Sequence, residues 1–278
     1  MRHNNYHTHT KFCDGKSEPR DYVLKAIEIN LKQLGFSAHA PVPFENKWSI
    51  LASNLEKYKT EIIKLKKEFS KELEILLALE IDYIPVITAN FSSYKNFGLD
   101  YIIGSIHFVK NEKNQGLWFI DGPEEGYING IEKIFDNDIQ LAVNNYYQQI
   151  IDMVHFQKPD IIGHIDKVKM NNKNRFFSED EKWYQNLVDK TLKEIKESEC
   201  IIEINTRGIY RKKCDSLFPS ISIIEKIHYY NIPVLVSSDA HLPEELINNF
   251  EETFDILKQI GIRKTKVFEN GKWVDKSF

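Results

Sequence analysis

Nine histidine and carboxylate residues of this sequence end or follow short apolar runs, a position from which they could bind metal ions together. They are His7, His9, Asp14, His39, Glu80, His107, His164, Asp239 and His241. His7 and His9 are two residues apart, as are Asp239 and His241, so in an extended chain both side chains of each pair point to the same side. A lone HxH pair is more often incidental, and a single histidine such as His164 can be an ordinary core residue. Chance does not place such residues at the ends of six of seven apolar runs.

The mixture of imidazole and carboxylate groups limits the ions that the site could hold. These ligands suit zinc, iron or manganese rather than magnesium or calcium. Nine ligands are too many for one ion that keeps an open position, so we expect two or three divalent transition-metal ions with a bridging carboxylate. Such sites provide hydroxide near neutral pH and hold the oxygens of an in-line displacement. The expected chemistry is therefore hydrolysis of a small-molecule phosphate ester.

Seven apolar runs are interpreted as the strands that position these residues. They are 3–7, 34–38, 74–81, 101–108, 160–165, 200–205 and 233–238. Near-continuous apolar runs are typical of strands that are buried on both faces. Helical patterns alternate with the runs, which implies parallel strands with right-handed crossovers and an α/β fold, either a barrel or a doubly wound sheet. In both folds the carboxyl ends of the strands form the active-site face.

The predicted helices carry recognisable start and stop signals. Ser17 is the predicted cap of a first helix that has Pro19 in its first turn and ends at Gly35. Helical spacing extends over 53–72, and SEDE at 178–181 is a capping-box pattern. Pro219 and Pro243 are expected in the first turns of two later helices, and residues 264–278 are expected to form a terminal hairpin.

Composition bounds the remaining possibilities. The 278 residues are 42% hydrophobic and 28% charged, which excludes collagenous, low-complexity and wholly disordered chains, and we expect one domain over 1–278. The net charge of −4 argues against a nucleic-acid-coating surface. Three scattered cysteines favour a reducing cytoplasm over a disulfide framework, and the absence of a long apolar stretch predicts no membrane association. The sequence leaves the oligomeric state open.

The motifs and their order resemble the polymerase-and-histidinol-phosphatase (PHP) superfamily. The resemblance rests on HTH…D (7–14), FSAHAP (36–41), LEID (79–82), GSIHFV (104–109), GHID (163–166) and SSDAH (237–241). EINTRGIYRK (203–212) and FPS (218–220) are similar to the monofunctional histidinol-phosphate phosphatases within it. The resemblance implies a distorted (β/α)7 barrel with a metal centre at the C-terminal ends of the strands. It also implies removal of phosphate from L-histidinol phosphate in histidine biosynthesis.

The same resemblance implies a partition of the ligands among three ions. One ion would take His7, His9, Glu80 and Asp239, a second would share Glu80 with His107 and His164, and a third would take Asp14, His39 and His241. The chain departs from the family at Ala38, where an aspartate is frequent, and in the loop 110–126, which is longer and more polar than expected.

Charge arguments add candidates for substrate binding and catalysis. A phosphomonoester carries nearly two negative charges, and arginine suits bidentate phosphate recognition. Arg207 is the favoured phosphate ligand, with Arg211 and Lys169 as further candidates and Arg175 behind Lys169. Catalysis is assigned to Glu80, at which a bridging hydroxide would attack, to Asp239 for proton handling, and to Arg207 for developing charge. For the histidinol moiety the loops offer Phe108, Trp118, Asp121 and Tyr210.

Two other functions stay open on the sequence alone. One is a phosphoesterase of the same superfamily that acts on nucleotides or nucleic-acid ends. The other is a metal-binding module without activity, for which a degenerate ligand set would be expected.

Overall fold

The computed structural model describes residues 3–278, without the side chain of Lys95. Its strands are β1 (Asn4–Asn5), β2 (Gln33–His39), β3 (Glu74–Asp82), β4 (Tyr101–Ser105), β5 (Phe108–Lys110), β6 (Leu117–Phe119), β7 (Ile161–Ile162), β8 (Ile201–Asn205), β9 (Val234–Ser237), β10 (Lys264–Glu269) and β11 (Lys272–Ser277). Its α-helices are α1 (Pro19–Glu28), α2 (Leu55–Glu68), α3 (Glu124–Phe135), α4 (Ile139–Phe156), α5 (Lys182–Lys196), α6 (Arg207–Tyr210), α7 (Ile221–Tyr230) and α8 (Phe250–Ile260). Short 3-10 helices lie at Ala52–Asn54, Phe91–Phe97, Lys167–Lys169 and Pro243–Glu245.

Seven strands form one parallel sheet that curves into a nearly closed barrel. The strand order is β1-β2-β3-β4-β7-β8-β9. Beyond the two edge strands, the His9 N–H donates to the Ala240 carbonyl at 2.8 Å and the Ala240 N–H donates to the His7 carbonyl at 3.0 Å. These bonds join the first strand region to the last, and the predicted distorted (β/α)7 barrel is confirmed.

The alternation of side chains along the strands separates the barrel interior from the helix-packed exterior. In β3, Leu77 and Leu79 pack in the large core beneath the helices, whereas Leu76 and Ala78 belong to a second cluster inside the barrel. Glu80 follows two residues after Ala78 and is therefore on the interior face. One strand thus supplies apolar filling at one end of the barrel and a buried carboxylate at the other.

Three predicted strands are shorter than the apolar runs indicated. The runs 3–7 and 160–165 contribute only β1 and β7 to the ladder, and the run 101–108 leaves the sheet after Ser105. At His164 the backbone has a positive φ of 24°, so the chain turns away from the sheet there. Residues 108–110 instead pair antiparallel with 117–119 as a small hairpin inside the long polar loop.

Helix limits also differ from the sequence signals. Helix α1 starts after Glu18 and ends at Glu28. Gly35 therefore does not end a helix. It lies within β2, where an added Cβ would overlap the Tyr101 hydroxyl. Pro219 precedes α7 rather than lying in its first turn, whereas Pro243 begins a 3-10 helix as predicted.

The predicted terminal hairpin is formed by β10 and β11, and it covers the apolar end of the barrel. Trp273 packs edge-on against Tyr6 and Tyr101 at 5.2 and 5.5 Å between ring centroids. The Phe268 N–H donates to the Tyr6 hydroxyl at 3.1 Å. Among the described residues, no helix has the length and apolarity that a membrane crossing requires.

Candidate metal centre and phosphoester site

The nine predicted ligand residues converge at the carboxyl ends of the barrel strands. His39 is the last residue of β2, and Glu80 is the third residue from the end of β3. Asp14 lies nine residues after β1, and the other six lie two to four residues after their strands. Ligand atoms within 4.8 Å of one another form four groups. These groups are His9, Asp14, His39 and His241; His7, His9 and Asp239; Glu80, His107 and His164; and His39, Asp82 and His107.

Glu80 is the centre of this arrangement. Its Oε2 atom lies 3.2 Å from His7 Nε2, 3.4 Å from His9 Nε2 and 3.0 Å from His39 Nδ1. Its Oε1 atom lies 3.0 Å from His164 Nε2 and 3.8 Å from His107 Nε2. Two oxygens that face different histidines are what a carboxylate bridging two ions requires.

Asp14 and Asp239 supply the other carboxylates. Asp14 Oδ2 lies 3.1 Å from His241 Nε2, and Asp239 Oδ1 lies 3.3 Å from His9 Nε2. Burial disfavours ionisation of Glu80 and Asp239, but the neighbouring His39 and His7 outweigh it, and the pKa of each carboxyl is held well below its usual range. Burial also disfavours ionisation of Asp14, but the hydrogen bond with His241 outweighs it and lowers the pKa of this carboxyl, so all three carboxylates are ionised at neutral pH.

Three histidines are oriented by hydrogen bonds from the nitrogen that faces away from the cluster. His107 Nδ1 lies 2.9 Å from Asp82 Oδ1, and His241 Nδ1 lies 3.0 Å from the Asp239 carbonyl. His7 Nδ1 lies 2.6 Å from Glu203 Oε1. With a proton held on Nδ1 in each case, a bound metal would displace any proton on Nε2 and take its lone pair, which is the tautomer that binds a metal.

The chemistry of the donor set fits divalent cations. Within residues 3–278, the buried atoms His7 Nε2, His9 Nε2, His39 Nδ1 and Asp14 Oδ1 have no hydrogen-bond partner, although they face one another. Buried polar atoms are normally satisfied, and cations bound within the groups of converging ligand atoms would satisfy these four. Burial together with the charges of His241 and His39 lowers the pKa of His9 to about 3, so this imidazole is neutral and has a free lone pair.

A cavity of about 200 Å³ opens over this cluster. Arg207, Lys213 and Asp121 belong to its lining, as do the aromatic residues Trp48 and Phe119. Asp121 Oδ1 lies 3.3 Å from Lys213 Nζ, and its Oδ2 lies 3.3 Å from the buried Lys167 Nζ. The cavity lining thus contains two cations, Arg207 and Lys213, besides the carboxylates of the cluster, and the buried Lys167 adds a positive charge behind Asp121.

The structure supports only one of the three cationic candidates for substrate binding. Arg207 lines the cavity, whereas Lys169 and Arg211 do not. The Lys169 ammonium lies 2.7 Å from Asp166 and donates to the Leu217 carbonyl, so it is occupied within the fold. Arg211 is half-exposed and pairs with Glu245 at 3.2 Å. The structure therefore gives no support to substrate binding by Lys169 and Arg211, which stays a prediction, and Arg175 pairs with Glu124.

The loop residues suggested for the histidinol moiety also differ in whether they line the cavity. Asp121 lines the cavity, but Trp118 is 1% exposed and its indole N–H donates to the Tyr127 carbonyl at 2.9 Å, so it is a core residue. The Tyr210 hydroxyl donates to the Ser238 carbonyl at 2.8 Å. Phe108 stacks on the cavity-lining Phe119 at 4.7 Å between ring centroids.

Sequence reasoning missed several residues that shape the site. Lys167, Lys213 and Trp48 carried no motif signal. Asp82 and Glu203 did carry a sequence signal, because each is two residues from another interior position on its strand. The departure at Ala38 is accommodated: Ala38 is fully buried, and its N–H lies 3.4 Å from the Tyr58 hydroxyl.

A nearly closed barrel of parallel strands, with histidines and carboxylates converging at their carboxyl ends, defines an α/β barrel with groups of candidate metal ligands at its active-site face. Comparison with family models then identifies the family. The chain belongs to the PHP domain family, whose model matches residues 5–207.

Relatives within this family share most of the chain length. The histidinol-phosphatase of Bacillus subtilis is 29% identical over 258 residues, which cover 87% of this chain and 94% of the relative. The probable histidinol-phosphatase of Deinococcus radiodurans is 26% identical over 270 residues, 96% of each chain. The fold matches the histidinol phosphate phosphatase of Lactococcus lactis, crystallised with zinc, L-histidinol and phosphate, with a TM-score of 0.70 and 20% identity over 98% of this chain and 99% of that one.

Proposed function

We propose that this protein is a metal-dependent phosphomonoesterase that hydrolyses L-histidinol phosphate to L-histidinol and phosphate in histidine biosynthesis. The observation that carries the proposal is that the nine converging metal-ligand side chains lie at one cavity, which seven of them line together with the cations Arg207 and Lys213. The substrate is taken from the names of the relatives, which span nearly the whole chain. As a biosynthetic enzyme, it would work in the cytoplasm.

Three ions are proposed, in the partition that the family resemblance implied. His7, His9 and Asp239 would hold the first, His107 and His164 the second, with Glu80 shared between the two. Asp14, His39 and His241 would hold the third. The groups of converging ligand atoms support this partition. Bound zinc, iron or manganese would supply Lewis acidity and a nucleophile at neutral pH.

The chain's own residues would bind the phosphoryl group and orient it. Arg207 Nη1 donates to the Asp239 carbonyl at 2.8 Å, which fixes the guanidinium at the cavity wall. Its Nη2 group has no hydrogen-bond partner among residues 3–278 and stays available to a phosphate oxygen. Lys213 replaces Lys169 as the second cation of the phosphate end. Asp239 lies beside Arg207 and His9 and is the proposed group that holds the proton released by the attacking water.

The aromatic part of the wall suits the other end of the substrate. Trp48 and Phe119 offer ring faces to the imidazole of histidinol, and base-like rings stack favourably on aromatic side chains. With both cations and aromatic rings in its lining, the cavity would suit a small phosphoester that carries a planar ring.

A phosphoester panel tests the proposal. Phosphate release is measured with L-histidinol phosphate, with nucleoside monophosphates and with 5′-phosphorylated oligonucleotides, and metal content is determined on the same sample. We expect the highest kcat/KM with histidinol phosphate. Preference for nucleotides or oligonucleotide ends would overturn the substrate, and metal-loaded protein without any phosphate release would indicate a non-catalytic module.

A further inference from the structure

Glu203 is a fully buried carboxylate beneath the metal centre, with both oxygens engaged. Oε1 accepts hydrogen bonds from His7 Nδ1 at 2.6 Å and from the Ser237 hydroxyl. Oε2 accepts from the His164 backbone N–H at 2.9 Å and from Asn205 Nδ2 at 3.0 Å. Glu203 is 0% exposed, so water cannot replace any of these donors without opening the barrel.

The two ligand histidines that Glu203 contacts belong to different groups. His7 converges with His9 and Asp239, whereas His164 converges with Glu80 and His107. Asp82, the other carboxylate that orients a histidine, bonds only His107, through its backbone N–H and its ring. Among the carboxylates of the described residues that are not themselves proposed ligands, Glu203 is therefore the one that contacts ligands of two groups.

The contact with His164 acts on the backbone. His164 has a φ of 24°, a backbone conformation that residues other than glycine adopt at a cost of about 1–3 kcal/mol. The hydrogen bond from its N–H to Glu203 holds this turn, and the turn directs the imidazole Nε2 to Glu80 at 3.0 Å. At His7 the contact with Glu203 instead acts on the ring, because it holds the proton on Nδ1 and so selects the tautomer.

We infer that Glu203 is a positioning residue shared by two metal subsites, which fixes the tautomer of His7 and the backbone of His164 and so supports metal binding at both subsites. The inference rests on the proposed metal centre. Loss of the partner that orients a ligand typically lowers metal affinity by about 10–100-fold. Loss of a shared partner should do so for two ions at once.

Zinc titration of the full-length apoprotein against a chelator of known affinity tests the inference, and it requires no substrate. In Glu203→Ala we expect the affinity of two zinc equivalents to fall by about 10–100-fold each. Asp160→Ala is the matched control. Asp160 is a half-buried carboxylate, it accepts the Ile102 N–H at 2.8 Å, and it contacts no proposed ligand. The zinc affinities of the Asp160→Ala variant should equal those of the wild type.

Two further measurements keep the inference open to refutation if Glu203→Ala does not fold. Glutamine in Glu203→Gln keeps the volume but turns one acceptor oxygen into a donor, so it cannot accept from all four groups, and at least one zinc equivalent should weaken by about 10-fold or more. In the zinc-loaded wild type, ¹⁵N NMR should show His7 protonated on Nδ1. Protonation on Nε2, or a Glu203→Ala protein that loses affinity for one equivalent or none, would overturn the inference. Wild-type protein that binds fewer than two zinc ions would instead contradict the proposed metal centre.

Discussion

Replacement of Arg207 by alanine should lower kcat/KM for histidinol phosphate by about two to four orders of magnitude. The side chain is buried at the cavity wall, with Nη1 already bound to the Asp239 carbonyl at 2.8 Å and to the Tyr210 hydroxyl at 3.2 Å. Its remaining N–H groups can make two charge-assisted bonds to phosphate. At about 1.5–3 kcal/mol for each such bond, their loss raises the barrier by about 3–6 kcal/mol, and each 1.4 kcal/mol is about tenfold in rate.

The cost of Arg207→Ala to the fold should be small in comparison. Glu245 would lose one cation, but it would still accept the His241 N–H at 2.8 Å and would keep Arg211 at 3.2 Å. We expect the free energy of unfolding, measured in urea, to fall by about 1–2 kcal/mol. Metal content should not change, because a guanidinium does not bind the ions.

Steady-state kinetics with two comparison variants completes the test. Arg211→Ala removes an arginine that pairs with the same Glu245 but is half-exposed and outside the cavity lining, so its kcat/KM should stay close to wild type. Arg207→Lys should recover only part of the activity, because an ammonium keeps the charge but not the planar fork. A rise in KM alone would mean that Arg207 stabilises the bound substrate and the transition state equally. A fall in kcat would mean that it stabilises the charge that develops in the transition state. An Arg207→Ala enzyme within about tenfold of wild-type kcat/KM would refute the phosphate assignment.

Four further outcomes are expected. Purified protein should contain two to three transition-metal ions per chain by elemental analysis, and chelation should abolish phosphate release until metal is restored; one ion or none would contradict the centre. Glu80→Gln should lose more metal than any single histidine variant, because Glu80 Oε1 and Oε2 face different histidines; near-normal metal content would remove the bridging role. Lys213→Ala should raise KM for histidinol phosphate by about tenfold, whereas the exposed neighbour Lys212→Ala should not, and equal KM values would exclude Lys213 from the phosphate end. Gly35→Ala should lower the free energy of unfolding by about 1–3 kcal/mol, because the added Cβ overlaps the Tyr101 hydroxyl. Gly126→Ala should raise it by up to about 1 kcal/mol, because the space around an added Cβ in α3 is open. Thermal and urea unfolding of the two variants measure this difference.

The ligand residues could be predicted because strand ends and side-chain alternation are both visible in sequence. The structure brings all nine together, yet their roles as ligands and the single-domain organisation over 1–278 stay predictions. What could not be predicted is the direction of side chains in short irregular segments. Lys167 and Lys169 belong to one 3-10 helix with three residues per turn, so they point to different sides. Lys167 reaches Asp121 and Lys169 reaches Asp166.

The loop after β4 shows the same limitation. Nothing in KNEKNQGLWFIDGPEEG indicated that 117–119 would pair with 108–110. Once they pair, neighbouring residues face opposite sides of the hairpin. Trp118 then enters the core, and Phe119 reaches the cavity. A one-residue difference in register would exchange these roles, and no local sequence signal fixes that register.

Strand β3 explains why substitutions at this centre need matched shapes. Leu76 and Ala78 fill the barrel on the face that, two residues later, presents Glu80 to five histidines. The same face therefore contributes to the core and to the site, and a truncation at Glu80 would create a cavity as well as remove a ligand. Glutamine keeps the volume and removes only the charge and one acceptor. A loss of metal in Glu80→Gln with an unchanged unfolding transition of the apoprotein can then be attributed to the ligand set and not to the barrel.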